Sequence, residues 1–520
     1  MEDVRDLIIV GCGPVGAVAA NLAARAGLST TVVERATDVF DLPRAIHFDA
    51  HVMRILQQAG VAEEILASTR VWRRSTFYGA DGDPIRIHDW DTDRTFGWDA
   101  HYLFYQPTLE ALLRRRLDGE TSIDVRLGVD VVGVEQDSDG VSVHTIKSAT
   151  GQTDRVRGRY LLAADGASSF VRTTIGVDLI DTGFDEPWLV IDLLSDEQIG
   201  RPDESEMYCD PRRPATRVPG PGRHHRWEFM LLPGETAEQI QSPDSIAQLL
   251  QPWVSIADVD VVRASVYRFH ALVARRWREG RVFLCGDAAH QTPPFLGQGL
   301  CHGIRDVQNL LWKVEAALHG APDADHLLDT YETERRPHVA RIIDMAVTAG
   351  RDICLLDADA AATRDVRMRR EAQLDEAPRT TFQGMPPLVE GLFDGDGSGE
   401  LFPQPVVRDR DGNARLMDDV VGNGITIVAL APAAGRLAAN GQGVTVVAVG
   451  DDSGTELWAD PDDLAAWFNE RAVTVAVLRP DRYVYAVSDD VDYALTATKR
   501  LSDELFGAGA TPLAARIAEG

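Results

Sequence analysis

The chain has 520 residues, 44% of them hydrophobic and 26% charged, with a formal net charge of −29 at pH 7. That length holds two or three domains with sizeable cores, and that acidity disfavours nucleic acid or an anionic membrane as a partner. No apolar stretch is long enough to span a bilayer, no basic-then-apolar leader opens the chain, and the five cysteines (Cys12, Cys209, Cys285, Cys301, Cys354) lack paired spacing, so a cytoplasmic protein with reduced thiols and no metal site is expected.

The first element is the apolar run Leu7-Ile8-Ile9-Val10, which reads as a buried parallel strand. It runs into Gly11-Cys12-Gly13-Pro14-Val15-Gly16; Ala17 to Ala26 favours helix, Gly27 stops it, and Thr30 to Glu34 is a second strand. This is a βαβ unit with a dinucleotide fingerprint: Gly11 for the tight turn, Gly13 for close approach of a pyrophosphate, Gly16 for packing helix on strand. Glu34 lies about 20 residues on, where an acid accepts ribose hydroxyls. Its charge would repel a phosphorylated ribose, which leaves FAD or NAD rather than NADP.

Tyr160 to Ala164 is another apolar strand, ending in Asp165-Gly166 with Arg172 beyond. Taken alone, it is a common strand and turn. Trp188 to Leu194, Arg226 to Leu231 and Ser265 to His270 then read as strands between Pro/Gly turns, forming a separate sheet domain.

The most informative stretch follows. A strand, Arg281 to Cys285, leads into Gly286-Asp287-Ala288-Ala289-His290-Gln291-Thr292-Pro293-Pro294-Phe295-Leu296-Gly297-Gln298-Gly299, and a helix follows. Prolines stiffen the turn, glycines let backbone N–H groups approach a ligand, and an N–H-rich turn at a helix start is an anion site. The anion expected here is flavin phosphate on the Asp287 side and reduced isoalloxazine on the Gly297–Gly299 side. Helical patterns run from Ile304 to about Leu318 and from Asp325 to about Leu356. Residues 371–410, rich in Pro, Gly and Asp, read as a linker. Beyond it, β-rich runs alternate with a helix around Pro461 to Arg471, in a small α/β domain. No cysteine follows Cys354, so this domain has no dithiol chemistry; a structural or oligomer-contact role, as in a homodimer, is its default.

The three glycine–acid motifs, in this order and joined by Pro43-Arg44-Ala45, Gln106 to Glu110 and Gly303 to Lys313, resemble the class A flavoprotein aromatic hydroxylases over nearly the whole chain. Cys209 to Pro214 followed by Arg226 to Gly234 is most similar to the 3-(3-hydroxyphenyl)propionate hydroxylase subgroup. The resemblance implies an α/β fold with a Rossmann-like FAD-binding domain of p-hydroxybenzoate-hydroxylase type, discontinuous over 1–76, 100–176 and 275–370. It implies an α+β substrate domain over 77–99 and 177–274, the linker 371–410, and a thioredoxin-like C-terminal domain over 411–520. The implied reaction uses FAD, NADH or NADPH, and O₂ to hydroxylate a phenol through a C4a-hydroperoxyflavin. The expected substrate is a phenol bearing a short carboxylate chain.

The same resemblance assigns residues. Gly11, Gly13, Pro14 and Gly16 hold the FAD pyrophosphate, Glu34 the adenosine ribose, and Arg35 lies on the adenine side. Arg44 and Gln106 are pyrophosphate-side contacts, and Asp287 binds the ribityl or phosphate region. Backbone of Leu296, Gly297, Gln298 and Gly299, flanked by Pro294 and Leu300, faces the flavin edge where negative charge develops on reduction. Asp165 and Arg172 serve FAD and pyridine nucleotide. Leu300-Cys301 stands where the family usually has Met, often followed by Asn. Catalytic candidates are His47, as acceptor of a phenol proton, with His290 and Pro293 in the loop; a structural histidine is the competing reading for His47 and His290. Expected substrate contacts are Tyr208, Tyr267 and His270 on the sheet, and Arg212 or Arg213 for a carboxylate. Competing functions are hydroxylation of a larger polyketide-like phenol, an FAD dehydrogenase or reductase without oxygen insertion, and a flavin-binding sensor.

Overall fold

Apolar strands set the core of the FAD domain. In the computed structural model, which describes residues 4–90, 94–374, 385–440, 444–450 and 455–508 (without the side chains of 439 and 440), Leu7 to Val10, Leu161 to Ala163 and Val282 to Leu284 are all buried. Strands buried on both faces suit a parallel sheet covered by helices. The observed parallel order is Val282–Leu284, Thr153–Ala163, Val4–Val10, Thr30–Glu34, Ile123–Leu127. The three glycine–acid motifs thus leave the carboxyl ends of three neighbouring strands, where open α/β sheets bind ligands. Helix Pro14–Arg25 packs against helix Gly299–Leu318 behind them.

A second sheet runs in the order His290–Gln291, Asp260–Ala274, Leu179–Leu194, His224–Met230, Ala215–Pro219, Glu204–Tyr208, Arg74–Tyr78, Pro84–Asp89. Strand Arg74–Tyr78 joins it whole, beginning before residue 77. His290–Gln291 pairs with Leu272–Val273, so the loop after Asp287 is stitched to this sheet. Helix Ala324–Ile353 passes beside the turn Pro294–Leu296, and helix Ala358–Gln373 covers strand Pro84–Asp89.

The tail sheet has parallel Thr445–Val449 and Thr426–Leu430, followed by antiparallel Val475–Leu478 and Val484–Ser488. Helices Ala431–Asn440, Pro461–Arg471 and Val491–Phe506 complete a thioredoxin-like arrangement. Strand Val406–Asp409, inside the segment read as linker, pairs with Leu457–Ala459 at the edge of this sheet. Buried charges dock the tail on the FAD domain. Arg479 pairs with Glu334 at 2.8 Å and Asp481 at 2.6 Å, Lys313 reaches Glu334 at 2.9 Å, and Asp418 lies between Arg54 (2.5 Å) and Arg482 (3.0 Å). Such pairs fix how two surfaces fit more than they add net stability.

Candidate active site

The nucleotide end of the cleft is shaped by backbone. Gly11 has φ +97°, and a Cβ on Gly16 would lie 2.0 Å from the Gly11 carbonyl oxygen. A Cβ on Gly13 would meet no atom within 4 Å, the open space a pyrophosphate needs. Both Glu34 carboxylate oxygens accept backbone N–H groups, from Cys12 at 2.7 Å and Ala36 at 2.8 Å, so Glu34 shapes the turn besides presenting an acid to a ribose. The Cys12 thiol is pushed up to about 11 by burial and stays protonated filler.

Arg44 stacks on Phe40 at 5.4 Å and has no carboxylate partner among the described residues, which leaves its charge for an anion. The Gln106 side chain is turned inward instead of toward a phosphate. Its Oε1 accepts the N–H groups of Arg44 (3.1 Å) and Ala45 (2.7 Å), and its Nε2 donates to Glu110 at 2.7 Å. Gln106 therefore positions Arg44. Asp165 is likewise occupied, by Ser169 Oγ at 2.5 Å and the Val171 N–H at 3.1 Å. Arg172 donates to the carbonyls of Ala288 and Ala167, both at 3.0 Å, tying the second motif to the third. Asp287 opens onto the cleft, and Arg35 lies on an exterior groove beside Glu34.

At the ring end, Pro293 leads into the tight turn Pro294–Leu296, closed by the Gly297 N–H on the Pro294 carbonyl at 2.7 Å. Gly297 has φ +62°, and a Cβ there would lie 2.6 Å from His47 Nδ1. Helix Gly299–Leu318 begins directly after, and no side chain caps it. Its first N–H groups are left for a ligand and carry the positive end of the helix dipole, where a reduced ring gathers charge. The Gln298 side chain points into the protein, donating to Asp49 at 3.2 Å and accepting from Arg305 at 2.8 Å; only its backbone serves the cleft. Cys301 lies under the loop, its sulfur 3.7 Å from the Gly297 carbonyl oxygen.

The two histidines are built into the structure. His47 is buried, with Nδ1 3.2 Å from the Gly297 carbonyl oxygen and Nε2 3.0 Å from His101 Nδ1. Burial pulls it down to about 4, so it is neutral at pH 7 and holds the loop. His290 is fully buried; Nε2 meets Asp306 at 2.7 Å, and Asp306 also binds Arg335 at 3.0 Å. Both geometries are those of loop-holding residues rather than of an open base.

Beyond Phe295 and Leu296 lies a chamber of about 40 Å³ between that turn and the second sheet. Phe77, Met207 and Cys209 line it from the sheet, and Trp72 from the segment before strand Arg74–Tyr78. Its polar groups are Ser75, Arg86, His88 and Asp352. Arg86 pairs with Glu371 through one nitrogen, while its buried Nε has no partner. His88 is pulled down to about 4 by burial and is neutral.

The FAD binding domain family matches residues 5–346, and the HcaD C-terminal domain family matches residues 399–503. A probable NADH-specific resorcinol 4-hydroxylase of Rhodococcus jostii (strain RHA1) is 35% identical over 93% of this chain and 92% of its own. A 3-(3-hydroxy-phenyl)propionate/3-hydroxycinnamic acid hydroxylase of Burkholderia vietnamiensis (strain G4 / LMG 22486) is 35% identical over 94% of each chain. The chain belongs to the class A FAD-dependent aromatic hydroxylases. The fold agrees: the flavin-dependent monooxygenase PieE, solved with FAD and substrate, aligns with a TM-score of 0.80 at 22% identity over 98% of this chain and 100% of its own. This hydroxylase uses FAD as its cofactor, with NAD(P)H and O₂ as co-substrates. Among the described residues no helix is long and apolar enough to cross a membrane.

None of the five residues expected to touch substrate lines this hydroxylase's chamber. Tyr208 stacks on Tyr78 at 5.4 Å and accepts from Trp253 at 2.9 Å on the far face of the sheet. Arg212 is exposed and pairs with Asp210 at 2.6 Å on that same side, and Arg213 is bound to Glu235 at 2.5 Å. The Tyr267 hydroxyl accepts from Arg263 at 3.0 Å beside the buried Asp192, and His270 stands 3.7 Å from Asp185 at the rim. For Tyr208 the reason is strand alternation: Met207 and Cys209 face inward, so Tyr208 faces outward, whereas Tyr267, paired across from Trp188, shares the inner face. The chamber residues Trp72, Phe77, Arg86, His88 and Asp352 were missed because they come from segments whose facing only tertiary packing sets. Alternation along Arg74–Tyr78 was the one usable signal.

Proposed function

We propose that the enzyme hydroxylates a small phenol held in the chamber beside Phe295 and Leu296, drawing electrons from NADH or NADPH and one oxygen atom from O₂. The observation that carries this reading is the adjacency of that chamber to an uncapped helix start on a glycine-bearing turn. FAD, when bound, supplies hydride acceptance and O₂ activation. The chain's own residues do the rest. Arg44 and the turn at Gly13 neutralise and seat the diphosphate; the N–H groups after Gly297 face the charge that gathers on the ring; Phe295, Phe77 and Met207 keep water from the reacting carbon. Of the polar groups in the chamber, neutral His88 can accept a hydrogen bond from the phenol hydroxyl.

The substrate first expected, a phenol with a short carboxylate chain as in 3-(3-hydroxyphenyl)propionate, would put its carboxylate at Arg86, since Arg212 and Arg213 face away. A neutral dihydroxybenzene is the second reading. It is favoured by Glu371, which already balances Arg86. A cytoplasmic setting with no nucleic-acid or membrane partner, and homodimerisation through the tail, complete the proposal; the net charge of −29 supports the former. The test is O₂ consumption by the FAD-loaded protein with NADH or NADPH and each phenol, with mass analysis of products and a peroxide assay. A product heavier by one oxygen, with little peroxide, is expected. NAD(P)H oxidation that yields only peroxide across a phenol panel would refute the reading.

A further inference from the structure

We propose that the cavity between the FAD domain and the tail domain is a second binding site, for a neutral single-ring hydroxyarene. The cavity has a volume of about 310 Å³, the size of a small-molecule site. The FAD domain contributes His51 and Arg305 to its wall, the 77–99 segment contributes Phe96, and the tail contributes Trp467, Arg471 and Tyr483.

Its charges are already matched. Arg305 pairs with Asp49, and Arg471 pairs with Glu400 at 2.5 Å. A charged ligand would therefore break an existing pair without gaining a free one. His51 adds no charge: burial and Arg305 pull it down to about 3. The rest of the wall is aromatic. The His51 and Tyr483 rings stand 6.0 Å apart, His51 and Phe96 6.4 Å, and Arg471 covers the Trp467 ring at 4.5 Å. Such walls suit a flat ring over an aliphatic chain.

The decisive group is Tyr483. It is only 6% exposed and lines the cavity, yet its hydroxyl has no hydrogen-bond partner among the described residues. That hydroxyl opens to the cavity, and an oxygen on a bound ring would accept from it. Burial raises the Tyr483 phenol, which keeps that proton available for donation. The cavity also adjoins the flavin loop through one side chain, since Arg305 holds Gln298 at 2.8 Å.

The choice of a hydroxyarene rests on the proposed reaction, whose product is one; the cavity and its unpaired hydroxyl do not. Equilibrium dialysis of the FAD-loaded full chain with radiolabelled catechol reads the site directly. Two equivalents per FAD are expected. Tyr483→Phe should weaken one of them about 10-fold, and Thr95→Trp, at the cavity wall, should remove that same one. Phe295→Trp, beside the chamber, should remove the other. A single equivalent lost only with Tyr483→Phe or Thr95→Trp also supports the inter-domain site. Binding that is absent, or insensitive to both of those variants, overturns it. Failure of the hydroxylase reading would appear separately, as NAD(P)H oxidation without an oxygenated product.

Discussion

At the nucleotide end of the cleft, Gly11, Gly16 and Glu34 make a turn out of backbone; at the other end, Trp72, Phe77, Met207 and Phe295 make a chamber out of side chains. Backbone geometry leaves a mark in the sequence, because only glycine fits where a Cβ would strike a carbonyl. A side-chain chamber leaves almost none, because any apolar residue of similar volume fills the same wall. The two ends should therefore respond differently to substitution.

The largest effect is expected at the backbone end. Gly16→Val places carbon against the fixed Gly11 carbonyl, and no flexible side chain can give way. FAD retention, read as flavin absorbance per protein, should fall by about 100-fold or more. Retention near wild type would mean that the turn is not the cofactor seat.

Next is the domain junction. Arg479→Met leaves Asp481 buried without a cation and Glu334 with Lys313 alone, at a cost of about 3–5 kcal/mol. The first unfolding transition in denaturant should move down accordingly, and limited proteolysis should release the tail early. An unchanged first transition would show that the junction does not depend on this pair.

A smaller effect is expected from pH. His47, pulled down to about 4, and His51, pulled down to about 3, stay neutral in the folded protein, whereas their unfolded counterparts take up protons below about 6.5. The unfolded state then binds more protons, so stability is full above that pH and falls as pH drops from 6.5 toward 4. Melting temperature measured from pH 7.5 to 5 should decline, and His47→Gln should flatten part of the slope. A slope unchanged by that substitution would remove His47 from the account. The smallest effect is expected on the far face: Arg212→Ala should leave KM for the phenol within about twofold, because solvent-exposed pairs contribute little.

The legible and illegible parts divide along the same line. The fingerprint strand, the strand before Asp165 and the strand before Asp287 were all readable as apolar runs ending in glycine–acid turns, and the parallel sheet follows from them. The helix expected around Pro461 to Arg471 is present over those residues, with Asp460 capping it and Arg471 in its last turn. Helix Ala358–Gln373 was not: it is strongly charged, and its amphipathic stripe is thin. In the site, Arg44, Gly297 and Asp287 were readable as motif positions. Gln106 was assigned to the cleft, although its side chain points into the protein, because a motif fixes position along the chain but not rotamer. Tyr208 was expected to contact substrate; its ring lies on the outer face, while the neighbouring Met207 lines the chamber.

The central claim, that substrate lies on the Met207 face of the sheet, is tested most directly by the ratio of hydroxylated product to NAD(P)H oxidised in two neighbouring variants. Met207→Trp should fill the chamber and cut that ratio by about 10-fold or more, with peroxide rising in compensation, because a displaced ring no longer meets the reacting oxygen. Tyr208→Trp, one residue away on the opposite face, should leave the ratio near wild type. The reverse pattern, with Tyr208→Trp uncoupled and Met207→Trp intact, would contradict the account.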